Sequence, residues 1–328
     1  MYDFALHETS PHIVHECIVS HKDNTAERHW DIPIKTIAKQ QLDSMSYKEL
    51  DADWQLNDFF GTIAVINLPQ AKKRLKLITN ELKSIGTDSF MIFSAIDGRK
   101  DIEPAIWNKF YLNLHNIDTS TDEGKLALDH LHQGQSGAYM SHYTLIRQIK
   151  NSFEIALNEL ELAKVSHNNQ EILRAVKEVR KSSRLLIFED DAGFGILNKK
   201  KTAVSRKRVG VLLRKALSKL PDDWDMLYFI VNATEPSTKI SSHLCKLNRS
   251  WSLSGYAINN SMYGPLVELL KKIDDVTVTH IWPIDNEIGE IHSFYNVYAI
   301  NPSIVYHQGG CSHITDRMWL PWQGQPVY

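Results

Sequence analysis

Between Gly61 and Pro69 the chain runs through Thr62-Ile-Ala-Val-Ile-Asn-Leu68, a short, nearly continuous apolar and β-branched segment. A strand with one face in water alternates polar and apolar residues, whereas this run has the pattern of a strand buried on both faces in a parallel sheet. After it the period changes. Leu75, Ile78, Leu82 and Ile85 recur at i, i+3, i+7 and i+10, one face of a helix that Gly86 can close at its C-cap. Phe90-Met-Ile-Phe-Ser-Ala-Ile96 follows at once as a second strand. Strand, helix and strand within about 35 residues form a βαβ unit, with a right-handed crossover and parallel strands.

The alternation continues along the chain. Gly137 to Ile149 reads as a helix, residues 184–188 as a continuous apolar strand, 209–220 as a helix and 225–231 as a strand. A short strand near 255–258, a helix over 264–273 with a Lys-rich end, and strand and loop after Phe294 complete the pattern. Residues 151–183 are rich in Glu, Lys, Leu and Ala and lack Pro and Gly, which predicts two surface helices joined near His167 to Asn169. Their apolar stripe, Leu157, Leu160, Leu162, Ile172, Leu173 and Val176, must be buried somewhere, as a lid on the domain or against an acceptor or protein partner. The second use is the expectation. Residues 1–57 show no clear period before the polar stretch that closes them and read as an extension, leaving 58–328 as the α/β domain with 151–183 inserted in it.

Composition narrows the function classes. At 43% hydrophobic and 23% charged, with 37 Lys plus Arg against 39 Asp plus Glu, the 328 residues exclude collagen-like, low-complexity and highly charged disordered chains. No apolar run approaches the ~20 residues of a membrane span. The start lacks the basic patch and apolar stretch of a secretory leader, so the expectation is cytoplasmic, with export by another route left open. A stretch from Lys199 to Lys215 carries eight Lys and Arg without an acid, but no aromatic residues interleave for base stacking. Together with a pI of 6.7 this argues against a nucleic-acid partner. Three cysteines without C-x-x-C spacing build no disulfide framework. His12, His15, Cys17 and His21 have ligand-type spacing without a second pair at zinc-finger distance, so surface histidines and a buried thiol are the simpler reading.

Chemistry concentrates where the apolar strand at 184–188 runs into Glu189, Asp190 and Asp191. Ligands of α/β sheets sit beyond the carboxyl ends of the strands, and three acids there are costly unless a cation or hydrogen bonds offset them. A divalent metal with few carboxylate ligands completes its shell with substrate phosphates. The motif therefore indicates Mg²⁺ or Mn²⁺ and a phosphate-containing substrate, with a solvated acidic turn as the bland alternative.

Several segments in order, IAVINLPQAKKR at 63–74, FSAIDG at 93–98, GQSGAYMSHYTLIRQI at 134–149 and LLIFEDDAGF at 185–194, resemble glycosyltransferase family 25. WDMLYF at 224–229, SGYAIN at 254–259, WPIDNEI at 282–288 and the tail from Asn301 to Asp316 are similar to its later blocks, so the resemblance spans about residues 60–316. The chain departs from the family in Ala138, which stands for the usual Cys, in the longer 151–183 connection, and in Ser312-His313, which replaces the usual Ser-Asp.

The resemblance implies a GT-A-type, Rossmann-like nucleotide-sugar transferase domain with a UDP-sugar donor and usually Mn²⁺. It implies that Asn67 and Arg74 meet base or phosphate, that Ala95 to Asp97 lie where a nucleoside rests, and that His142 beside Ser141 serves the donor site. Asp191 takes the position that contacts metal directly, while Glu189 and Asp190 meet ribose or the metal shell. His307 and His313 are candidate late metal ligands or phosphate contacts. Asp285, after the rigid Trp282-Pro283 pair, is the candidate general base, and in-line displacement from it implies inversion; its competing role is to cap the next helix. Of Trp251, Tyr256 and Trp282, one is expected to line the acceptor side, since sugar faces stack on rings. The leading reading is a metal-dependent transferase moving galactose or glucose to a glycan or protein hydroxyl. Its alternative is an inactive binding or scaffold protein on the same fold. A nucleotidyltransferase would need a Gly-rich, Lys-containing phosphate loop that the chain lacks.

Overall fold

The computed structural model describes residues 56–326 other than 88, 112–116, 198–202, 205, 313 and 315–317. Residues 1–55 of the extension, with the His12 to His21 cluster, and Lys199 to Lys201 and His313 therefore lie outside the described residues, while Leu56 and Asn57 belong to the first helix of the domain.

The helices are α1 (Leu56–Phe59), α2 (Lys72–Ser84), α3 (Pro104–Trp107), α4 (Asp122–Ser166), α5 (Asn169–Ser183), α6 (Arg206–Leu217), α7 (Tyr263–Leu270) and α8 (Ile284–Glu290). The strands up to the middle of the chain are β1 (Thr62–Asn67), β2 (Met91–Ser94), β3 (Arg184–Glu189), β4 (Ala192–Phe194), β5 (Ile196–Leu197), β6 (Ala203–Val204), β7 (Met226–Tyr228) and β8 (Asn232–Ala233). After them come β9 (Thr238–Lys239), β10 (Leu244–Lys246), β11 (Ser250–Trp251), β12 (Gly255–Asn259), β13 (Val297–Ile300), β14 (Val305–His307), β15 (Gly310–Cys311) and β16 (Met318–Trp319). One sheet organises the domain, in the order β2-β1-β3-β12-β7-β13-β10-β9. β1 pairs in parallel with β2 and β3, and β7 pairs in parallel with β13. The βαβ unit read from the sequence is thus present, with Gly86 at φ 79° just beyond the end of α2, a conformation glycine adopts without a Cβ clash.

The sheet is largely rather than wholly parallel. β12 runs antiparallel to both β3 and β7, and β10 runs antiparallel to β13. Strand direction follows the edge from which the chain enters, and β12 enters from the edge where β3 ends: Gly255 lies opposite Phe188. Local hydrophobic pattern carries no record of that choice.

Alternate side chains of each strand feed two cores, which is why the strands read as unbroken apolar runs. Ala64, Ile66, Leu185, Ile187, Tyr256 and Ile258 face the layer of α4, α7 and α8. Ile63, Val65, Leu186, Phe188 and Ala257 face α1, α2 and α6. With both faces covered, the result is a three-layer α/β/α domain.

The helix expected from Gly137 is instead the middle of α4, a single helix of 45 residues spanning about 67 Å at 1.5 Å per residue. The Gly-x-x-Gly spacing reads as a helix start but serves a crossing. A Cβ on Gly137 would stand 2.8 Å from both the Ile96 carbonyl oxygen and the Gly98 amide, and one on Gly98 would meet the Gln133 carbonyl at 1.7 Å. These glycines let backbone approach backbone.

Residues 151–183 form two helical arms, as the sequence indicates, but the first is the distal third of α4. The turn is made by His167 in a left-handed conformation and by Asn168, whose side chain caps α5 through the amides of Gln170 and Glu171. The stripe is buried between the arms: Ala156, Leu160, Ala163, Ala175 and Val179 form a small core, with Leu157, Ile172 and Val176 against it. Leu162 and Leu173 do not join and are each 71% exposed. At its base the hairpin is tied to the domain, since Thr62 Oγ1 donates to the Lys181 carbonyl and the Tyr263 hydroxyl to that of Ser182.

Candidate active site

β1 and β3 end side by side, with Ile66 paired to Glu189, and this register delivers Asn67 and the Glu189-Asp190-Asp191 motif to one place. The first residues after β1 lead into α2, whose first turn carries Arg74. Arg74 Nη1 donates to Asp190 Oδ1 at 2.9 Å and reaches Asp191 Oδ2 at 3.4 Å. Asn67 Nδ2 donates to Asp190 Oδ2 at 2.7 Å. On the other side, His307 Nε2 lies 3.0 Å from Asp191 Oδ2. β14 pairs antiparallel with β4, placing His307 opposite Ala192, and the Gln308 amide donates to the Asp191 carbonyl at 2.8 Å. His307 also stacks on Trp322 with ring centroids 6.2 Å apart.

Two acids are thereby held between a guanidinium and an imidazole. Burial pushes the Asp190 carboxyl up to about 6, with the neighbouring Asp191 charge adding to the rise against Arg74 and Asn67. Burial acts on Asp191 in the same sense, but His307 and Arg74 outweigh it and hold that carboxyl below the usual range. His307 is raised because the Asp191 carboxylate overcomes burial, and Arg74 is raised by both acids against the same opposition.

The oxygens differ in what they have left to offer. Both of Asp190 are committed, whereas Asp191 Oδ1 is buried and takes no hydrogen bond among the described residues. No three His, Cys, Asp or Glu side chains among the described residues converge as a complete metal cage. The free Asp191 Oδ1 is an oxygen that could ligate a divalent cation drawing most of its shell from substrate and water.

Glu189 belongs to a different, more deeply rooted arrangement. Its Oε1 lies 3.4 Å from His142 Nε2 and its Oε2 accepts from Ser254 Oγ at 3.0 Å. His142, on α4, is 1% exposed and pairs through Nδ1 with the Tyr256 hydroxyl at 2.9 Å. If the tyrosine donates, Nε2 carries the imidazole proton toward Glu189. His142 thus reaches the site through a carboxylate. The adjacent Ser141 supports backbone: its Oγ accepts from the Ile96 amide and donates to the Gly137 carbonyl. Ser254 and the Tyr256 hydroxyl are partners the sequence reading did not assign, although SGYAIN was singled out as a block.

The other residues named from the sequence fall around this centre. Ala95 continues the β1–β2 pairing by donating its amide to the Asn67 carbonyl. Asp97 caps the following turn, accepting from the Arg99 amide and from Gln70 Nε2, and these bonds with Lys100 hold its carboxyl below the ordinary range despite burial. Asp285 sits in the first turn of α8, half-buried, where Oδ1 accepts from the Asn286 amide at 3.0 Å and Oδ2 makes a long 3.5 Å contact with the Ser252 amide. Burial raises its carboxyl, and the Glu189 charge adds to the rise, which places the two acids within electrostatic reach. Trp251 is half-buried and approaches Gly289 of α8, while Tyr256 is fully buried and presents no ring to a ligand.

Residues 60–157 match glycosyltransferase family 25, described as an LPS biosynthesis protein family. The family 25 match covers β1, α2, β2, α3 and α4 as far as Leu157, and so includes Asn67, Arg74, Ala95, Asp97 and His142. It supports a transferase. The acidic motif and Asp285 lie beyond the matched residues and are joined to them by the contacts above. No curated protein matches the chain. Among the described residues no helix is long and apolar enough to cross a membrane.

Proposed function

We propose that the protein transfers a hexose, galactose or glucose, from a UDP-sugar to a hydroxyl of an acceptor, with a divalent cation and with inversion at the anomeric carbon. The observation that carries this reading is the Asp190-Asp191 pair held between Arg74 and His307 at the strand ends, with Asp191 Oδ1 unpaired. A leaving diphosphate needs positive charge at its oxygens, and the Arg74 guanidinium beside the acid pair supplies it in a fixed arrangement that need not reorganise during the reaction. Asp191 would hold a Mn²⁺ or Mg²⁺ ion, with His307 at hand as a second ligand. The ion, when bound, neutralises the departing phosphate as a Lewis acid.

In the transfer, Asp285 takes the proton of the acceptor hydroxyl as its oxygen bonds to the anomeric carbon. The bond from that carbon to the β-phosphate oxygen breaks, and its electron pair leaves with UDP. A carboxylate raised above its ordinary range by burial and by Glu189 is a stronger base than an exposed one. Glu189 is held by His142 and Ser254, and in this reading it serves the donor's ribose or sugar.

The test is UDP release with Mn²⁺ across a panel of UDP-sugars, repeated with Asp191→Asn. That substitution keeps size and removes the charge, so metal-dependent donor binding and turnover should both be lost while the fold, followed by circular dichroism, is retained. Calorimetry showing the same donor affinity with Mn²⁺ in both proteins would sink the metal assignment.

A further inference from the structure

Three positions before Asp285, the chain makes an exposed aromatic corner that the reaction outlined above does not use. Trp282 is 38% and Tyr111 48% exposed, and their rings meet edge to face with centroids 4.6 Å apart. His280 lies beside Tyr111 at 6.2 Å, and its Nδ1 pairs with the Thr279 hydroxyl. Two large rings, in contact and both open to water, offer an apolar face that a ligand can cover.

The corner is held rigidly from below. The Tyr111 amide donates to the Ile281 carbonyl at 2.7 Å and the Ile281 amide to that of Lys109 at 2.8 Å, so the two segments pair as a short bridge. The Trp282 amide donates to Glu287 Oε1 at 2.7 Å, and Glu287, buried in α8, is ion-paired to Lys272. The backbone that fixes Trp282 is therefore continuous with the turn that presents Asp285. Only Pro283 and Ile284 stand between them, and proline fixes the backbone angle there.

We infer that Tyr111 and Trp282 form the platform for the acceptor, and that the acceptor is a glycan whose terminal pyranose lays its C–H face on these rings. The inference rests on Asp285 being the base, since it places the sugar hydroxyl next to that carboxylate. A pyranose matches the corner chemically. It has an apolar face for the rings and a rim of hydroxyls for His280, whereas a serine hydroxyl on an extended peptide offers no comparable flat face.

Full-length protein is tested by saturation-transfer NMR with lactose and cellobiose as probes, against a serine-containing peptide, and by transfer kinetics with the donor that the UDP-sugar panel selects. Tyr111→Ala and Trp282→Ala should abolish saturation of the sugar C–H protons and raise the acceptor KM about tenfold or more, a factor equivalent to 1.4 kcal/mol, with a smaller change in kcat. Trp282→Phe, which keeps a ring, should recover most of both. Val276→Ala, at an apolar position 89% exposed on the same connection, is the control for a change of surface hydrophobicity and should behave as the unsubstituted chain. Sugar saturation and KM unchanged in both alanine variants, or binding of the peptide alone, overturns the platform. Loss of sugar saturation in the alanine variants of a protein that turns over no UDP-sugar would uphold the platform and refute the transferase reading instead.

Discussion

Asp285 carries two roles that a single side chain can reconcile. Its Oδ1 accepts from Asn286 in the first turn of α8, as a capping residue would, while among the described residues Oδ2 has the long contact with Ser252 and is the oxygen left for chemistry. Replacing it with Asn keeps an acceptor for the turn and removes the base. The expected outcome is donor binding close to normal with turnover lowered about 10²-fold or more. The acidic limb of the pH–rate profile should also disappear. That limb belongs above the ordinary carboxylate range because burial and Glu189 raise the group, and activity increases as pH rises through it and ionises the base. Near-normal kcat in Asp285→Asn would return the residue to capping alone. At this scale the acidic motif was legible because three acids at the end of an apolar strand are visible as a charge problem. How that problem is solved was not. Arg74 is 116 positions from Asp190 and His307 the same distance from Asp191, and only the sheet register brings them together. His142 illustrates the converse: it could be singled out by type, but its burial beneath Glu189 depends on where α4 crosses the sheet.

Elements with a strong period could be read directly, and β1, α2 and β2 fall where Gly61, Pro69 and Gly86 punctuate the sequence. The long helix resisted because its glycines sit mid-helix, where they normally cost about 1 kcal/mol relative to alanine, and are retained here for close packing. The two-armed hairpin was visible as helices, but the address of its stripe was not, since a stripe says that a surface must be covered and nothing about what covers it. Given that the arms cover each other, Leu160→Ala removes the centre of the small core and should destabilise the hairpin by about 2–5 kcal/mol. Hydrogen exchange should then quicken in the arms, over residues 153–179, while β3 keeps its protection. Equal loss of protection in both would show that the hairpin and the sheet unfold as one unit.

For the whole molecule, the α/β class and the place of the acidic motif at the strand ends follow from sequence, while the mixed strand order does not, because pairing partners are chosen over long separations. One consequence of that order is a buried polar pair deep in the sheet-to-helix layer. His292 is fully buried, meets the Tyr228 hydroxyl through Nε2 at 3.0 Å and accepts the Ser250 amide at Nδ1. Burial, aided by Arg249, pushes its pKa down to about 3. Above pH 6.5 the folded and unfolded chains both carry it neutral, so its contribution to stability is complete there. Between 6.5 and 3 the unfolded chain takes up a proton that the folded one refuses, and stability falls by up to about 1.4 kcal/mol for each pH unit. Asp190, raised to about 6, acts in the opposite sense over part of this window. Urea unfolding of His292→Gln beside the unsubstituted chain cancels that shared term, and the variant should show a shallower loss of stability on acidification. Parallel curves would mean that His292 can be protonated without unfolding. The long helix sets a last constraint of phase. Each residue of α4 advances by about 100°, so one residue added between Gly137 and His142 would swing the imidazole away from Glu189, whereas one added after Phe153 would turn the outer part of α4 off the face of α5, which is tied to the domain at Lys181 and Ser182. Growth of the hairpin therefore keeps its small core only where both arms lengthen together by near-whole numbers of turns, such as about seven residues each.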